Sequence, residues 1–390
     1  MKIAYITEFD VKNKVRSSWR KNQLGHWGCC YYIAKYLEDE NTTLHYLGPL
    51  LQNNTLIPKL KRRLYNWFTN KLYHFWAEPI FTKDYARQIE DKLSNINVDV
   101  VLCPDINFVS YLKCDRPIVI WVDSAYVGYL NFYPDYTKLC RESINHLIKM
   151  DKLAFKKCQA IIFSSEWAAS TAIQTYQIAP AKVKVVPFGA NIECNRTVDD
   201  IKSIVEAKPS SKCNLLFIGS NWERKGGDVA LAVTKILNSM GLDTQLTVVG
   251  CKPTIDEPLP KFLKVIGALD TFTSAGLNKI NQLFAESHFL ILPSKADCTP
   301  HVLAEANSFG VPCLTTNVGG IPTMIRDRLN GKTFALDASN SEYCDYISSI
   351  ITNYSEYKRL ALSSFNEYQI RLNWFVACQE VKKILVDMIL

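Results

Sequence analysis

Short, unbroken apolar runs recur along this 390-residue chain, each closed by a polar or glycine-rich turn. DVVLC at 99–103, PIVIWV at 117–122, AIIFS at 160–164, NLLFI at 214–218 and FLIL at 289–292 show no apolar–polar alternation. A strand that is apolar on both faces must be covered on both faces, which is the condition of a parallel sheet flanked by crossover helices. Segments of helical spacing lie between the runs, so the fold class expected is α/β. The alternation is interrupted by a polar, charged stretch at 192–212 and then starts again, as in a chain of two Rossmann-like domains. A chain of this length that is 48% hydrophobic has enough apolar mass for two cores.

The rest of the composition narrows the function classes. No apolar run approaches the roughly 18 residues that a membrane span needs, and the opening MKIAYITEFD is a strand followed by acids rather than a basic flank and an apolar core. The expectation is a cytoplasmic protein. Its thirteen cysteines are scattered, with no CxxC pair, and read as reduced thiols rather than disulfides or metal ligands. The net charge of +7 is concentrated between Lys59 and Trp76, where five basic residues and six aromatics stand without an acid. Cations with Trp and Tyr suit an anionic membrane surface, so 59–76 reads as a peripheral contact; a basic helix packing its aromatics inward is the other reading. Nothing in the chain resembles a nucleic-acid recognition module.

Three stretches carry chemistry. In 289–322, Pro293 stops a strand, and Val302–Phe309 has helical spacing until Gly310 and Pro312 end it. The loop between holds Asp297, Cys298 and Thr299, with Pro300 at or near the first helical position. Loops at strand C-termini that face helix N-termini offer free N–H groups to anions, so an anionic ligand is expected here. Asp297 and Glu305, eight positions apart, fit two uses: gripping the two ends of that ligand, or a helix cap and a solvated acid. The second stretch, GSNWERKGG after the strand NLLFI, converges backbone amides and Lys225 on one point, a phosphate-binding arrangement. In the third, Asp123 and Ser124 end the strand 117–122, where α/β enzymes place reacting groups. Gly25 and Gly28 precede a run of helical spacing and are expected to let backbone approach a ligand.

Together these stretches resemble the retaining GT-B glycosyltransferases of family GT4, over nearly the whole chain and most strongly after Asn214. The resemblance implies two facing Rossmann-like domains with parallel sheets, the donor lying between them. Residues 1–190 would form the acceptor-binding domain, joined by a final helix at 374–390 that crosses back to it, and 191–373 the nucleotide-sugar domain. It sets Asp297 and Glu305 on the family's acidic signature, with Asp297 in place of the usual Glu. By position, Asp297 meets the donor sugar, Cys298, Thr299, Pro300 and His301 lie by the phosphates, and Glu305 takes the ribose. Lys225 falls on the family's diphosphate-binding Lys; the family's Arg position is Ser220, and Arg224 is the nearest guanidinium. Gly28 falls on a glycine loop facing the donor, Gly267 on the strand end that holds the base, and Asp123 where many members carry a catalytic His.

The activity implied is hexosyl transfer, with retention, from a UDP-, GDP- or ADP-sugar to an acceptor hydroxyl, without metal or other cofactor. The segment 59–76 directs the acceptor expectation to a lipid or lipid-linked glycan. A glycoside hydrolase, a GT-B epimerase or phosphorylase, and a non-catalytic nucleotide-sugar-binding subunit are the alternatives.

Overall fold

Every unbroken apolar run is a strand, and in the first sheet alternate residues along a strand enter different cores. In the computed structural model, which describes residues 1–12, 24–53, 56–255, 258–271 and 273–389, the chain divides into two compact units, Met1–Phe188 with Trp374–Leu390, and Gly189–Asn373. The polar stretch that follows the first strand lies from residue 13 to residue 23 outside the described residues.

The first unit runs β1 (Lys2–Tyr5), α1 (Leu24–Leu37), β2 (Thr43–Tyr46), α2 (Leu56–Phe68), α3 (Pro79–Leu93), β3 (Val100–Cys103), β4 (Ile118–Val122), α4 (Tyr126–Tyr129), α5 (Arg141–Lys157), β5 (Ala160–Phe163), α6 (Glu166–Tyr176) and β6 (Val183–Val185). Its strands form one parallel sheet in the order β2-β1-β3-β4-β5-β6. Val101, Ile118, Ile120 and Ile161 pack on α3, α5 and α6 on one face, while Val100, Val119, Trp121 and Ile162 pack against α1 on the other. Burial of each such side chain is worth roughly 1.5–3 kcal/mol, so both faces need their helices.

The second unit runs α7 (Val198–Glu206), β7 (Cys213–Ile218), α8 (Gly227–Ser239), β8 (Thr244–Val249), β9 (Leu263–Gly267), α9 (Ser274–Glu286), β10 (Phe289–Leu292), α10 (His301–Asn307), β11 (Cys313–Thr316), α11 (Ile321–Met324), β12 (Gly331–Phe334), α12 (Asn340–Thr352) and α13 (Tyr354–Arg371). Its sheet is again parallel, in the order β12-β11-β10-β7-β8-β9. The last helix, α14 (Trp374–Ile389), returns to the first unit. There Trp374 meets Trp121 at 5.6 Å and Phe188 at 5.3 Å between ring centroids, and Cys378, Val381 and Leu385 close the core over α1.

Two elements differ from the sequence reading, and two further details refine it. The helix α1 begins at Leu24, so Gly25 and Gly28 lie within it rather than in a loop before it. The apolar stripe of Trp27, Cys30, Ile33 and Leu37 buries against the sheet and α14, which outweighs the roughly 1 kcal/mol that a helical glycine costs. β12 (GKTF) has a single large apolar residue, and its pairing with β11 rather than its composition makes it a strand. The stretch 341–369 is two helices, broken at Asn353, whose φ and ψ of −100° and 74° leave the helical region. Pro300 caps α10 from outside, one place before the first helical residue.

The basic aromatic segment folds inside out. In α2 the residues Leu56, Ile57, Leu60, Leu64, Trp67 and Phe68 recur at helical spacing and face solvent, Trp67 at 81% and Phe68 at 78% exposure. The opposite side is tied to the unit by polar groups. Lys61 Nζ lies 2.7 Å from Glu78 and 2.6 Å from Glu142, the Tyr65 hydroxyl donates to Glu142 at 3.1 Å, and the Tyr65 ring stacks on Tyr73 at 5.0 Å.

Candidate functional site

The order of the second sheet fixes where a ligand can sit. From β7 the chain lays strands outward on one side (β8, β9) and then on the other (β10, β11, β12), so the switch point lies between β7 and β10, and the loops leaving their C-terminal ends diverge around a crevice. Those two loops are 219–226 and 293–300.

Glycines let the loops touch. Gly226 has φ +77°, and a Cβ there would stand 2.0 Å from the Pro293 carbonyl oxygen; a side chain would be strained by the backbone and blocked by the neighbouring strand end. A Cβ on Gly219 would press on the stem of Lys225 at 2.9 Å. The loops are sewn together by the Lys295 N–H donating to the Arg224 carbonyl and by Arg224 Nη1 donating to the Ala296 carbonyl, both at 2.7 Å.

At their meeting point Lys225 donates to the Asp297 carboxylate, and Arg224 Nη1 lies 3.6 Å from the same oxygen. Lys225 and Asp297 are both more than nine-tenths buried. Two cations against one carboxylate leave a net positive charge in a site of low dielectric, which suits an anion. Ser220 is exposed at the start of the first loop. Cys298 and Thr299 are buried beyond Asp297, and the Asp297 carbonyl accepts from the Gly320 N–H at 3.1 Å, which joins the turn after β11 to the same edge.

His301 opens α10, its Nδ1–H donating to the Gly189 carbonyl at 2.9 Å. Glu305, half-buried one turn further, is pushed up to about 7 by burial, against a hydrogen bond from the Asn191 backbone. No side chain caps the N-terminus of α8, whose N-cap is Gly226, so its first-turn N–H groups face this edge without a side-chain acceptor of their own. Gly267 ends β9 at φ +75°, with open space where a Cβ would be, and its carbonyl accepts from Gly250 N–H at 2.7 Å.

The structure thus gathers Ser220, Arg224, Lys225, Asp297, Cys298, Thr299, Pro300 and His301 on two adjacent strand ends, places Glu305 one turn into the helix that follows, and puts Gly267 two strands away from β7. Asp123 and Gly28 belong to the other unit. There Asp123 Oδ1 accepts from the Tyr129 hydroxyl at 2.5 Å. The loop that carries it is held by buried Asp151, which accepts from the Tyr126 and Val127 N–H groups at 3.0 and 3.1 Å. Burial raises that carboxyl to about 7. Sequence reasoning passed over His26, Asp105 and Tyr126 beside it; the signal was Pro104–Asp105 directly after the run DVVLC.

A family model described as Glycosyl transferases group 1 matches residues 212–353, from the residue before β7 to the one after α12, and so contains every loop of the second unit's site. Over those residues the chain is similar to the group 1 glycosyl transferases. In sequence it is 29% identical over 184 residues to the lipopolysaccharide glucosyltransferase WaaG of Escherichia coli K12, covering 45% of this chain and 49% of that one. The sequence matches to the first curated relatives span about half of their length. Solved structures match throughout. Sucrose-phosphate synthase from Thermosynechococcus elongatus is 13% identical, with a TM-score of 0.69, covering 99% of this chain and 98% of that one. Anabaena Alr3699/HepE in complex with UDP and glucose is 15% identical, with a TM-score of 0.63 and 99% of each chain covered. The chain therefore has the GT-B fold, two parallel sheets with a last helix returned to the first.

Proposed function

We propose that the chain is a retaining glycosyltransferase that moves a hexose from a nucleotide diphosphate sugar to a hydroxyl of a lipid or lipid-linked glycan at a membrane surface. The observation that carries the donor half is the convergence of Lys225, Arg224 and Asp297 at the switch point of the second sheet. A UDP, GDP or ADP diphosphate would take the two cations, supported by N–H groups at the starts of α8 and α10. Glu305 would accept from the ribose hydroxyls, and Gly267 would face the base. Asp297 counter-charges the cations; with a diphosphate in its place the carboxylate is released to a donor-sugar hydroxyl, one methylene further back than a Glu.

The chemistry asked of these groups is electrostatic. As the bond from the anomeric carbon to the phosphate oxygen breaks, negative charge gathers on the leaving diphosphate, where preorganised cations are worth most. The acceptor oxygen attacks the same face, and its proton passes to the leaving phosphate, so configuration is retained and charge balances. Lys225 and Arg224 supply the positive charge that a divalent ion would supply, which supports a metal-independent reaction. Asp123, held by Tyr129, is the proposed contact to the reacting sugar or acceptor in the first unit.

The acceptor half rests on α2. No described helix is long and apolar enough to cross a membrane, but a helix whose apolar stripe faces outward beside Lys59, Arg62 and Arg63 has the chemistry of an interfacial anchor. Its companion WaaG is named for a lipopolysaccharide acceptor, in keeping with that reading.

Thermal unfolding with UDP, GDP, ADP and their sugars, with and without Mg²⁺, tests the donor half, because a ligand of the folded state raises apparent stability. One nucleotide is expected to shift the transition irrespective of Mg²⁺, and Glu305→Ala to abolish the shift. No shift with any nucleotide would overturn the reading. For the acceptor half, sedimentation with phosphatidylglycerol vesicles is expected to fall about tenfold in Leu60→Glu or Trp67→Ala. Lys61 is not a probe of lipid contact, since its ammonium is engaged inside the unit.

A further inference from the structure

The donor reading leaves unused a group of aromatic side chains in the first unit. Five rings close on one another: His74 to Trp76 at 5.3 Å, Trp76 to Tyr126 at 5.6 Å, Tyr126 to Tyr129 at 6.0 Å, Tyr129 to Tyr136 at 5.2 Å, and Tyr136 back to His74 at 4.8 Å. Tyr126 is nearly buried and the other four are half-buried. Polar groups edge the patch. The Tyr129 hydroxyl donates to Asp123 at 2.5 Å, and the Tyr126 hydroxyl meets Asp105 at 3.1 Å and Asn107 at 2.7 Å.

The rings pack in part on the core of the unit. Two carboxylates and an amide stand at the ends of the adjacent strands β3 and β4, beside the switch point between β1 and β3. Asp105 Oδ1 also accepts from the Asn107 N–H at 2.8 Å, and His26 Nε2 lies 3.9 Å from Oδ2, so the protein's own groups hold this carboxylate in place. Rings offering an apolar face beside acceptors held rigidly for hydroxyl donors are complementary to a pyranose, which has a C–H face and a rim of hydroxyls. An anionic headgroup would meet like charge at Asp123, while Asp105 has His26 at 3.9 Å.

We propose that this patch is the acceptor's sugar subsite and that the acceptor presents a neutral pyranoside, its C–H face on Trp76 and Tyr129 and its hydroxyls on Asp105 and Asp123. The inference rests on the transferase reading and gives its acceptor a class. The patch continues into α2: His74 and Trp76 follow it in the chain, and Tyr65 of α2 stacks on Tyr73. A sugar on the patch therefore has its aglycone directed to the helix whose apolar face is bare, so the acceptor is a membrane-anchored neutral glycoside.

Saturation-transfer NMR on the full chain tests this with the octyl glycosides of glucose, galactose and mannose below their micelle concentrations, and octyl sulfate as the anionic-headed control. Transfer is expected onto the ring protons of at least one glycoside, falling about fivefold in Trp76→Ala and similarly in Asp123→Asn, while octyl sulfate gives a weaker signal that neither variant changes. Tyr129→Phe keeps the ring and removes one hydroxyl; it guards against misfolding of the Trp76 variant and is expected to weaken the same signal. No ring-proton transfer from any glycoside, transfer unaltered in all three variants, or an equal octyl sulfate signal would overturn the subsite. The nucleotide thermal shift separates the two readings. Nucleotide binding without variant-sensitive glycoside binding sinks the subsite alone, whereas variant-sensitive glycoside binding without any nucleotide shift leaves a carbohydrate site and removes the transferase.

Discussion

Glu305 shows how a group proposed to bind a ligand can oppose stability. Its carboxyl is raised to about 7 by burial, so between the ordinary carboxylate range and pH 7 the folded state holds a proton that the unfolded chain has lost. Stability from this group is then full at low pH and is lost as pH rises through 7. Glu305→Gln is expected to raise unfolding stability by about 2–3 kcal/mol at pH 8 and by little at pH 4, while weakening nucleotide binding. Urea unfolding at the two pH values checks it, and equal effects at both would show that the side chain is not held neutral. The acid itself was visible in the sequence through its spacing from Asp297. The partner of Asp297 was not: Lys225 is 72 residues away, and only the order of strands in the sheet makes them neighbours.

At the scale of elements, the strands that are buried on both faces were legible because nothing else gives four or five apolar residues without alternation between turn signals. β12 was not, since pairing and not composition defines it, and α1 was started too late because its glycines read as a loop although a buried stripe holds them in the helix. The periodicity of α2 revealed an apolar face without saying which side the protein covers. The structure answers with Lys61, whose ammonium sits between Glu78 and Glu142, and His146 Nδ1 lies 3.9 Å from Glu78. Lys61→Ala would leave both carboxylates without their cation, and α2 is expected to loosen. Amide exchange across residues 59–68 should quicken about tenfold while exchange in β3 and β4 stays slow; unchanged exchange in α2 would show that Tyr65 and its stacking hold the helix alone.

For the whole molecule, the decisive feature is that one unit is built from two separated pieces of chain. Removing residues after Asn373 takes away Trp374, Cys378, Val381 and Leu385 from the face of the first sheet, several side chains worth roughly 1.5–3 kcal/mol each. Calorimetry of that truncation is expected to show the first unit's transition lowered or lost and a separate transition for Gly189–Asn373 kept. A single cooperative transition, shifted as one, would show that the units do not unfold independently.

The same discontinuity sets an order of events during synthesis. A nascent chain usually completes its N-terminal domain first, at about 5–20 residues per second. Here the ribosome must add the 185 residues from Gly189 to Asn373 (373 − 189 + 1), roughly ten to forty seconds, before the helix that completes the first unit emerges. For that interval one face of the first sheet has α1 but not α14, while the later half of the chain can already fold, so the half made first is the half finished last. Chaperones that hold exposed apolar surface would find their longest opportunity on residues 1–188.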